Sequence, residues 1–292
     1  MAVRDFAPGV LGPQAAEWLA GRRSEPVEPR YAATVMLVRD GSGRDGSGRD
    51  GSGGDGQDDV AGVEVFMLRR VATMAFAPRT WVFPGGGVDP RDDAHDLPWA
   101  GPQPREWAAL MGCEEGLARA LVCAAVREVF EECGVLLAGP SSETVVADLR
   151  DPEWDVERAA LLSKEQSFAE LLLRRGLVLR SDLLSPQGRW VTPDFEPRRY
   201  DTFFFAALLP DGQIPDDDTS EADHADWTDP AELLAAYAMG EAILLPPTVV
   251  SVERVLEATS AAELVATAKP SRAVVPQIVE VAGQPMIRAD LP

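Results

Sequence analysis

The sequence predicts an α/β protein, and three observations carry that prediction. Runs rich in Val and aromatic residues, at 31–38 and 63–68, have the composition of β-strands. Residues 117–133 instead place Val122, Val126, Val129 and Cys133 at helical spacing and stop at Gly134. The run Phe203-Phe204-Phe205-Ala206-Ala207-Leu208-Leu209 is apolar without alternation, as expected of a central strand covered on both faces. With 292 residues and 46% hydrophobic content, the chain can bury a sizeable core without disulfides. The organisation expected is an extension at 1–29 followed by a single domain over 30–292.

The extension holds a short helix around 14–20 and then a Pro-Glu-Pro stretch that reads as extended chain. The strands at 31–38 and 63–68 enclose the pentad Gly41-Ser42-Gly43-Arg44-Asp45, repeated at 46–50 and imperfectly at 51–55. Such composition predicts a flexible, solvated loop over 41–59. It has neither the nonapeptide calcium pattern nor the Gly-Lys-Ser/Thr ending of a phosphate-binding loop. Thr80-Trp81-Val82-Phe83 is a short β-prone run that ends in the turn Pro84-Gly85-Gly86-Gly87. The following insert, 90–116, carries Pro98, Trp99, Pro102, Pro104 and Trp107, which predict an ordered lobe shaping access to the turn.

A helix or helix pair is expected over 152–175, with Leu161, Leu162, Leu171, Leu172 and Leu173 packing into the core or against a second copy. Strands follow at 189–191 and 200–209, and a short one at 226–228 after the acidic loop Asp216-Asp217-Asp218. Three helices, 230–239, 248–258 and 261–268, lead to a terminal hairpin of 277–281 and 285–288.

The net charge of −21 argues against broad binding of nucleic acid or anionic membrane, both of which attract basic surface. No apolar run approaches a membrane span, and Met1-Ala2-Val3-Arg4-Asp5-Phe6 lacks the succession of a secretory signal, so the expected location is the cytoplasm. Cys113, Cys123 and Cys133 have no metal-ligand spacing. Cys123 and Cys133 would stand about 15 Å apart along one helix, beyond disulfide reach, and all three read as buried thiols. Lys164 and Lys269 are the only lysines, an arginine bias that fits a GC-rich bacterial genome.

The most chemically informative run is Arg127-Glu128-Val129-Phe130-Glu131-Glu132-Cys133-Gly134-Val135. At about 100° per residue, Glu128, Glu131 and Glu132 share one helical wedge, close enough to share cations. Mg²⁺ and Mn²⁺ prefer oxygen ligands and leave positions for water and substrate phosphate. A solvated acidic helix face would give the same pattern.

The strand, glycine turn and carboxylate helix resemble the Nudix hydrolase family, whose signature is Gly-x5-Glu-x7-Arg-Glu-U-x-Glu-Glu-x-Gly-U with U aliphatic. Arg127, Glu128, Val129, Glu131, Glu132, Gly134 and Val135 match its second half. If Gly86 is the first glycine, Arg127 stands 127 − 86 = 41 positions on where the signature needs 14, an insertion of 41 − 14 = 27 residues. Eight residues before Arg127 stands Arg119, so the first glutamate is absent or displaced to Glu114 or Glu115. The chain looks like the peroxisomal coenzyme A diphosphatase branch, which carries inserts here. It is similar to that branch also at Arg189-Trp190-Val191-Thr192-Pro193, at 197–205, at Trp227-Thr228-Asp229-Pro230 and at Pro246-Pro247-Thr248.

The resemblance implies an α/β/α sandwich with a mixed sheet, a long insert within the Nudix box and extra helices. It further implies that Glu128, Glu131, Glu132 and the Gly86 carbonyl hold Mg²⁺ or Mn²⁺, with Arg127 orienting the cluster. The reaction implied is hydrolysis of a diphosphate X-P-P-Y, with coenzyme A or acyl-CoA giving 3′,5′-ADP and a 4′-phosphopantetheine product. The coenzyme A motif of another branch, Leu-Leu-Thr-x-Arg-Ser, is not reproduced at 67–72. Hydrolysis of ADP-ribose, NADH or another nucleoside diphosphate derivative is the alternative, and a nucleotide-sensing module without catalysis is another. Arg69, Arg70, Arg79, Arg198 and Arg199 are candidates to grip phosphates, with Arg199 foremost among them. The general base would be Glu221, Asp223 or His224 on a late loop, or Glu132 itself. His95 reads as structural or solvent-exposed. A homodimer through 152–175 and core packing explain those leucines equally.

Overall fold

The computed structural model of the chain describes residues 2–22, 25–41, 62–74, 77–216, 222–269 and 271–292. Strand β1 (Ala2–Phe6) and helix α1 (Gly12–Leu19) precede the two long strands β2 (Arg30–Asp40) and β3 (Val63–Arg70). Two short strands then form the glycine turn, β4 (Trp81–Val82) and β5 (Gly85–Gly87). The insert folds as a 3-10 turn at Pro90–Asp92, strand β6 (Trp99–Ala100) and helix α2 (Pro104–Met111). Helix α3 (Glu115–Cys133) leads to β7 (Ala138–Gly139), then to the pair α4 (Pro152–Leu162) and α5 (Phe168–Arg175). Strands β8 (Val178–Arg180), β9 (Leu184–Val191), β10 (Tyr200–Leu208) and β11 (Ala222–Thr228) follow. The chain ends with α6 (Pro230–Ala238), α7 (Pro246–Glu257), α8 (Ala261–Ala266), β12 (Ala273–Val274), β13 (Gln277–Val281) and β14 (Gln284–Leu291).

The main sheet runs β11-β3-β2-β10-β9-β12, with β4 on β3 and β5 on β2. It is mixed, because β10 lies parallel to β2 and antiparallel to β9. Alternation along β2 explains the layers: Ala33, Val35 and Leu37 face one core and Met36 and Val38 the other. The unbroken apolar run of β10 divides likewise, Phe203 and Phe205 toward α3 and Phe204 toward α7. Helices thus cover both faces, which makes the expected α/β/α sandwich. In α3 the stripe Val122, Val126, Val129 and Cys133 is fully buried. Gly134 then caps the helix at φ 66°, a left-handed turn that suits glycine.

Packing adds one element to the expected set and corrects one burial. The extension contributes a strand, since β1 pairs along its whole length with β14 in a three-stranded sheet that also holds β13. Only Phe6 of these five residues is buried, so no apolar alternation reveals that pairing locally. Cys113 is half-buried at the end of α2, whereas Cys123 and Cys133 are buried. The repeat loop from residue 42 to 59 lies outside the described residues. In α4 and α5, Leu161, Leu171 and Leu172 are core residues while Leu162 and Leu173 stay exposed. No helix among the described residues is long and apolar enough to cross a membrane.

Candidate active site

The glycine turn and α3 meet because the chain has no side chain at one point of contact. Strand β5 pairs with the start of β2, Gly86 opposite Ala33, and this brings it under the last turns of α3. A Cβ on Gly86 would stand 2.6 Å from Glu128 Oε1, closer than carbon and oxygen tolerate. The Gly85 amide donates to Glu132 Oε2 at 2.8 Å, so the turn also fixes the second carboxylate of the pair Glu131-Glu132.

Arg127 organises the cluster from within. Its Nη1 donates to Glu128 Oε1 at 2.7 Å and to Glu131 Oε2 at 3.1 Å, and its Nη2 donates to the Gly87 carbonyl at 2.9 Å. The same guanidinium grips Asp92, Nε to Oδ1 and Nη2 to Oδ2, both at 3.0 Å. Arg127, Glu128 and Glu131 are each under 10% exposed, and Asp92 is 2% exposed. Such concentration of charge shows in the proton affinities. Burial pushes the Glu128 carboxyl up to about 7 against the pull of Arg127, with Glu131 and Asp92 adding to the rise. Burial opposes the Arg127 charge as well, but Glu128, Asp92 and Glu131 together hold it firmly protonated.

Asp92 joins this cluster, and counting backward from Arg127 does not reach it. Counted forward from Gly86, it stands six positions on, where the signature has its first glutamate. The Pro90–Asp92 turn, with Asp92 Oδ2 accepting the Asp89 amide at 2.8 Å, sets it there before the insert departs. Glu114 and Glu115 instead lie at the far end of α3, about 20 Å from Glu128 by the helix rise. A second missed residue is Arg158 of α4. It donates to the carbonyls of Glu131 at 2.8 Å and Glu132 at 3.2 Å and pairs with Asp216, satisfying groups that a helix C-terminus leaves open.

These groups open onto a cavity of about 1010 Å³. Glu128, Glu131, Glu132 and Asp155 line one end, and Trp190, Phe204, Leu245 and Ile287 contribute apolar wall. The expected set Gly86, Arg127, Glu128, Glu131 and Glu132 is therefore brought together. Of the expected phosphate grips, Arg69, Arg79 and Arg199 do not line the cavity. Arg69 donates to Asp223 at 2.6 Å on the β3–β11 edge, because the antiparallel register puts those strand ends side by side. Arg79 is exposed with φ 59° and lies off the cavity wall. Arg199 is buried in backbone duty, donating to the carbonyls of Thr192 at 3.0 Å and Val27 at 2.8 Å and pairing with Asp194. Arg70 and Arg198 do line the cavity, as does Arg30. Glu221 lies outside the described residues; Asp223 is taken by Arg69, and His224 packs edge-on against Trp81. His95 is exposed.

The donor set fits a hard divalent cation in kind, being three carboxylates on one cavity wall beside a glycine turn whose crowding raises Glu128. Among the described residues no three acidic, His or Cys side chains converge on one point as ligands do, since Arg127 holds Glu128 and Glu131 and the Gly85 amide holds Glu132. Occupancy would exchange some of these bonds for bonds to the cation.

Comparison with known proteins agrees with this geometry. The family model described as the NUDT19 Nudix domain matches residues 115–255, which begins with α3. Among curated proteins, a putative nudix hydrolase 7 of Caenorhabditis elegans is 31% identical over 190 residues, covering 65% of this chain and 55% of the relative. An acyl-coenzyme A diphosphatase NUDT19 of Xenopus laevis is 24% identical, covering 65% and 59%. That of Gallus gallus is 26% identical, covering 75% and 65%, so the chain spans less than two thirds of the length of each of these relatives. A crystal structure of a NUDIX hydrolase from Alicyclobacillus acidocaldarius aligns with a TM-score of 0.65 at 27% identity, covering 84% of this chain and 99% of that one.

Proposed function

We propose that the chain, similar to Nudix hydrolases in its matched domain model and in its fold, hydrolyses a diphosphate linkage, and that its substrate is coenzyme A or an acyl-CoA. The observation that carries the catalytic part is the Arg127 network, which ties Asp92, the glycine turn, Glu128 and Glu131 into one buried unit on the cavity wall. The coenzyme A part rests on the matched family model and on the similarity to the acyl-coenzyme A diphosphatases of Xenopus laevis and Gallus gallus.

In this reading Glu128, Glu131, Glu132 and the Gly86 carbonyl would hold Mg²⁺ or Mn²⁺. A divalent cation, when bound, neutralises phosphate charge and lowers the pKa of the attacking water. Arg127 aims Glu128 and Glu131 and opposes the rise that burial imposes on Glu128, while itself held by Asp92. A water oxygen bonds to one phosphorus, the bond from that phosphorus to the bridging oxygen breaks, and the water proton passes to a base. Glu221 or Glu132 takes that role. The products are 3′,5′-ADP and 4′-phosphopantetheine or its acyl ester.

The binding-module alternative drew on a missing first glutamate, and Asp92 bonded to Arg127 supports turnover instead. Incubation with coenzyme A, acetyl-CoA, ADP-ribose and NADH in Mg²⁺ or Mn²⁺, with products identified by mass, tests the reading. Release of 3′,5′-ADP is expected. Preferential AMP release from ADP-ribose or NADH would move the substrate to another nucleoside diphosphate derivative.

A further inference from the structure

In a chain of net charge −21, a guanidinium has carboxylates to choose from, and most described arginines take one. Arg30, Arg70 and Arg198 do not. Among the described residues none of the three side chains has a hydrogen bond or ion pair, and all three line the cavity that holds the carboxylate cluster. Arg79 and Arg105, also without side-chain partners among the described residues, lie off that wall.

Their backbone positions explain the grouping. Arg30 opens β2 opposite Tyr200 at the start of β10, and its amide donates to the Arg199 carbonyl at 2.9 Å, which puts Arg198 beside it. Arg70 closes β3, which runs antiparallel to β2, so it reaches the same end of the sheet, its amide on the Thr80 carbonyl at 3.0 Å. Arg70 is the most committed of them, because its Nε is buried with no partner, and an unmet buried donor is costly unless a ligand meets it. Arg30 and Arg198 are exposed at the rim.

We propose that Arg30, Arg70 and Arg198 form a second anion site in the cavity, built for a phosphate monoester that the substrate carries in addition to its diphosphate. The inference rests on the diphosphatase reading and narrows it. A diphosphate diester brings about two negative charges, which the cations at Glu128, Glu131 and Glu132 match. A monoester brings about −1.5 to −2 more, with three acceptor oxygens that suit planar guanidinium forks. In coenzyme A that group is the 3′-phosphate of the ribose; ADP-ribose and NADH have none.

The test compares kcat/KM for coenzyme A and 3′-dephospho-coenzyme A in the wild type, in Arg30→Gln/Arg198→Gln, in Arg70→Gln and in the matching Lys variants. Circular dichroism and melting temperature confirm that each variant folds. Wild type is expected to favour coenzyme A by about tenfold or more, as loss of charge-assisted hydrogen bonds implies. In the Gln variants that ratio should fall toward one, with partial return in the Lys variants. Arg79→Gln should keep the wild-type ratio. Equal efficiency of wild type on the two compounds, or a preference that survives the Gln variants, would overturn the inference and leave the diphosphatase reading standing. Turnover of neither compound would overturn the coenzyme A reading and the inference together.

Discussion

Arg127 and Asp92 meet side-on through two hydrogen bonds of 3.0 Å, although 35 residues separate them in the sequence. That pair spans the insert and closes the Nudix box across it. Asp92 is 2% exposed, and besides Arg127 its carboxylate accepts from the Asp89 amide and the Cys123 thiol.

Asp92→Asn keeps the shape but removes the charge opposite Arg127. Its kcat is expected to fall about 10- to 100-fold with KM nearly unchanged, as for residues that orient ligands. Asp92→Ala should also destabilise the fold by about 1–3 kcal/mol, because it leaves the Arg127 Nε and one Nη2 donor buried and unmet while Glu128 and Glu131 still pair with Nη1. Steady-state kinetics and denaturant unfolding separate the two effects.

Gly86→Ala places a methyl group 2.6 Å from Glu128 Oε1, and either the turn or the carboxylate must move. Activity should drop by about 100-fold or more while the melting temperature changes by only a few degrees, since the contact is local. Retained activity would show that Glu128 need not sit against the turn.

Arg158→Gln removes the donors that satisfy the Glu131 and Glu132 carbonyls. The end of α3 should fray, with a loss of about 1–2 kcal/mol in unfolding and a lower kcat. Faster amide exchange at residues 131–135, measured by mass spectrometry, would place the change at that helix end.

Glu196 gives a pH signature. It is 4% exposed, its Oε1 has no partner among the described residues, and burial pushes its carboxyl up to about 7 from an ordinary 4.5. Below about pH 4.5 both folded and unfolded chains hold the proton, so the site costs nothing there. As the pH rises from about 4.5 through about 7, the unfolded chain releases the proton first and wild-type stability falls. Glu196→Gln should therefore melt a few degrees above wild type at pH 8 and level with it at pH 4.5, by scanning calorimetry. A gap of equal size at both pH values would contradict the assignment.

Legibility in the sequence followed the range of the interactions. Glu128, Glu131, Glu132 and Gly134 were readable because they sit within two turns of one helix, where spacing fixes direction. The doubly covered β10 was readable because its apolar run has no polar face. Asp92 is hidden from a count back from Arg127, which crosses an insert of unknown length, whereas six residues on from Gly86 reach it. Arg199 was favoured as a phosphate grip and proved to be a backbone brace, while its neighbour Arg198 faces the cavity. Which of two adjacent arginines turns outward depends on β10 register, and that is set by strands far away in the chain. The pairing of β1 with β14 was hidden for the same reason.

The most direct test is release of 3′,5′-ADP from coenzyme A by wild type and by Glu131→Gln at equal concentration, each in Mg²⁺ and in excess chelator, with folding verified by melting temperature. The account predicts turnover only by wild type with the cation present. Turnover by folded Glu131→Gln at the wild-type rate, or wild-type turnover undiminished by chelator, would contradict it.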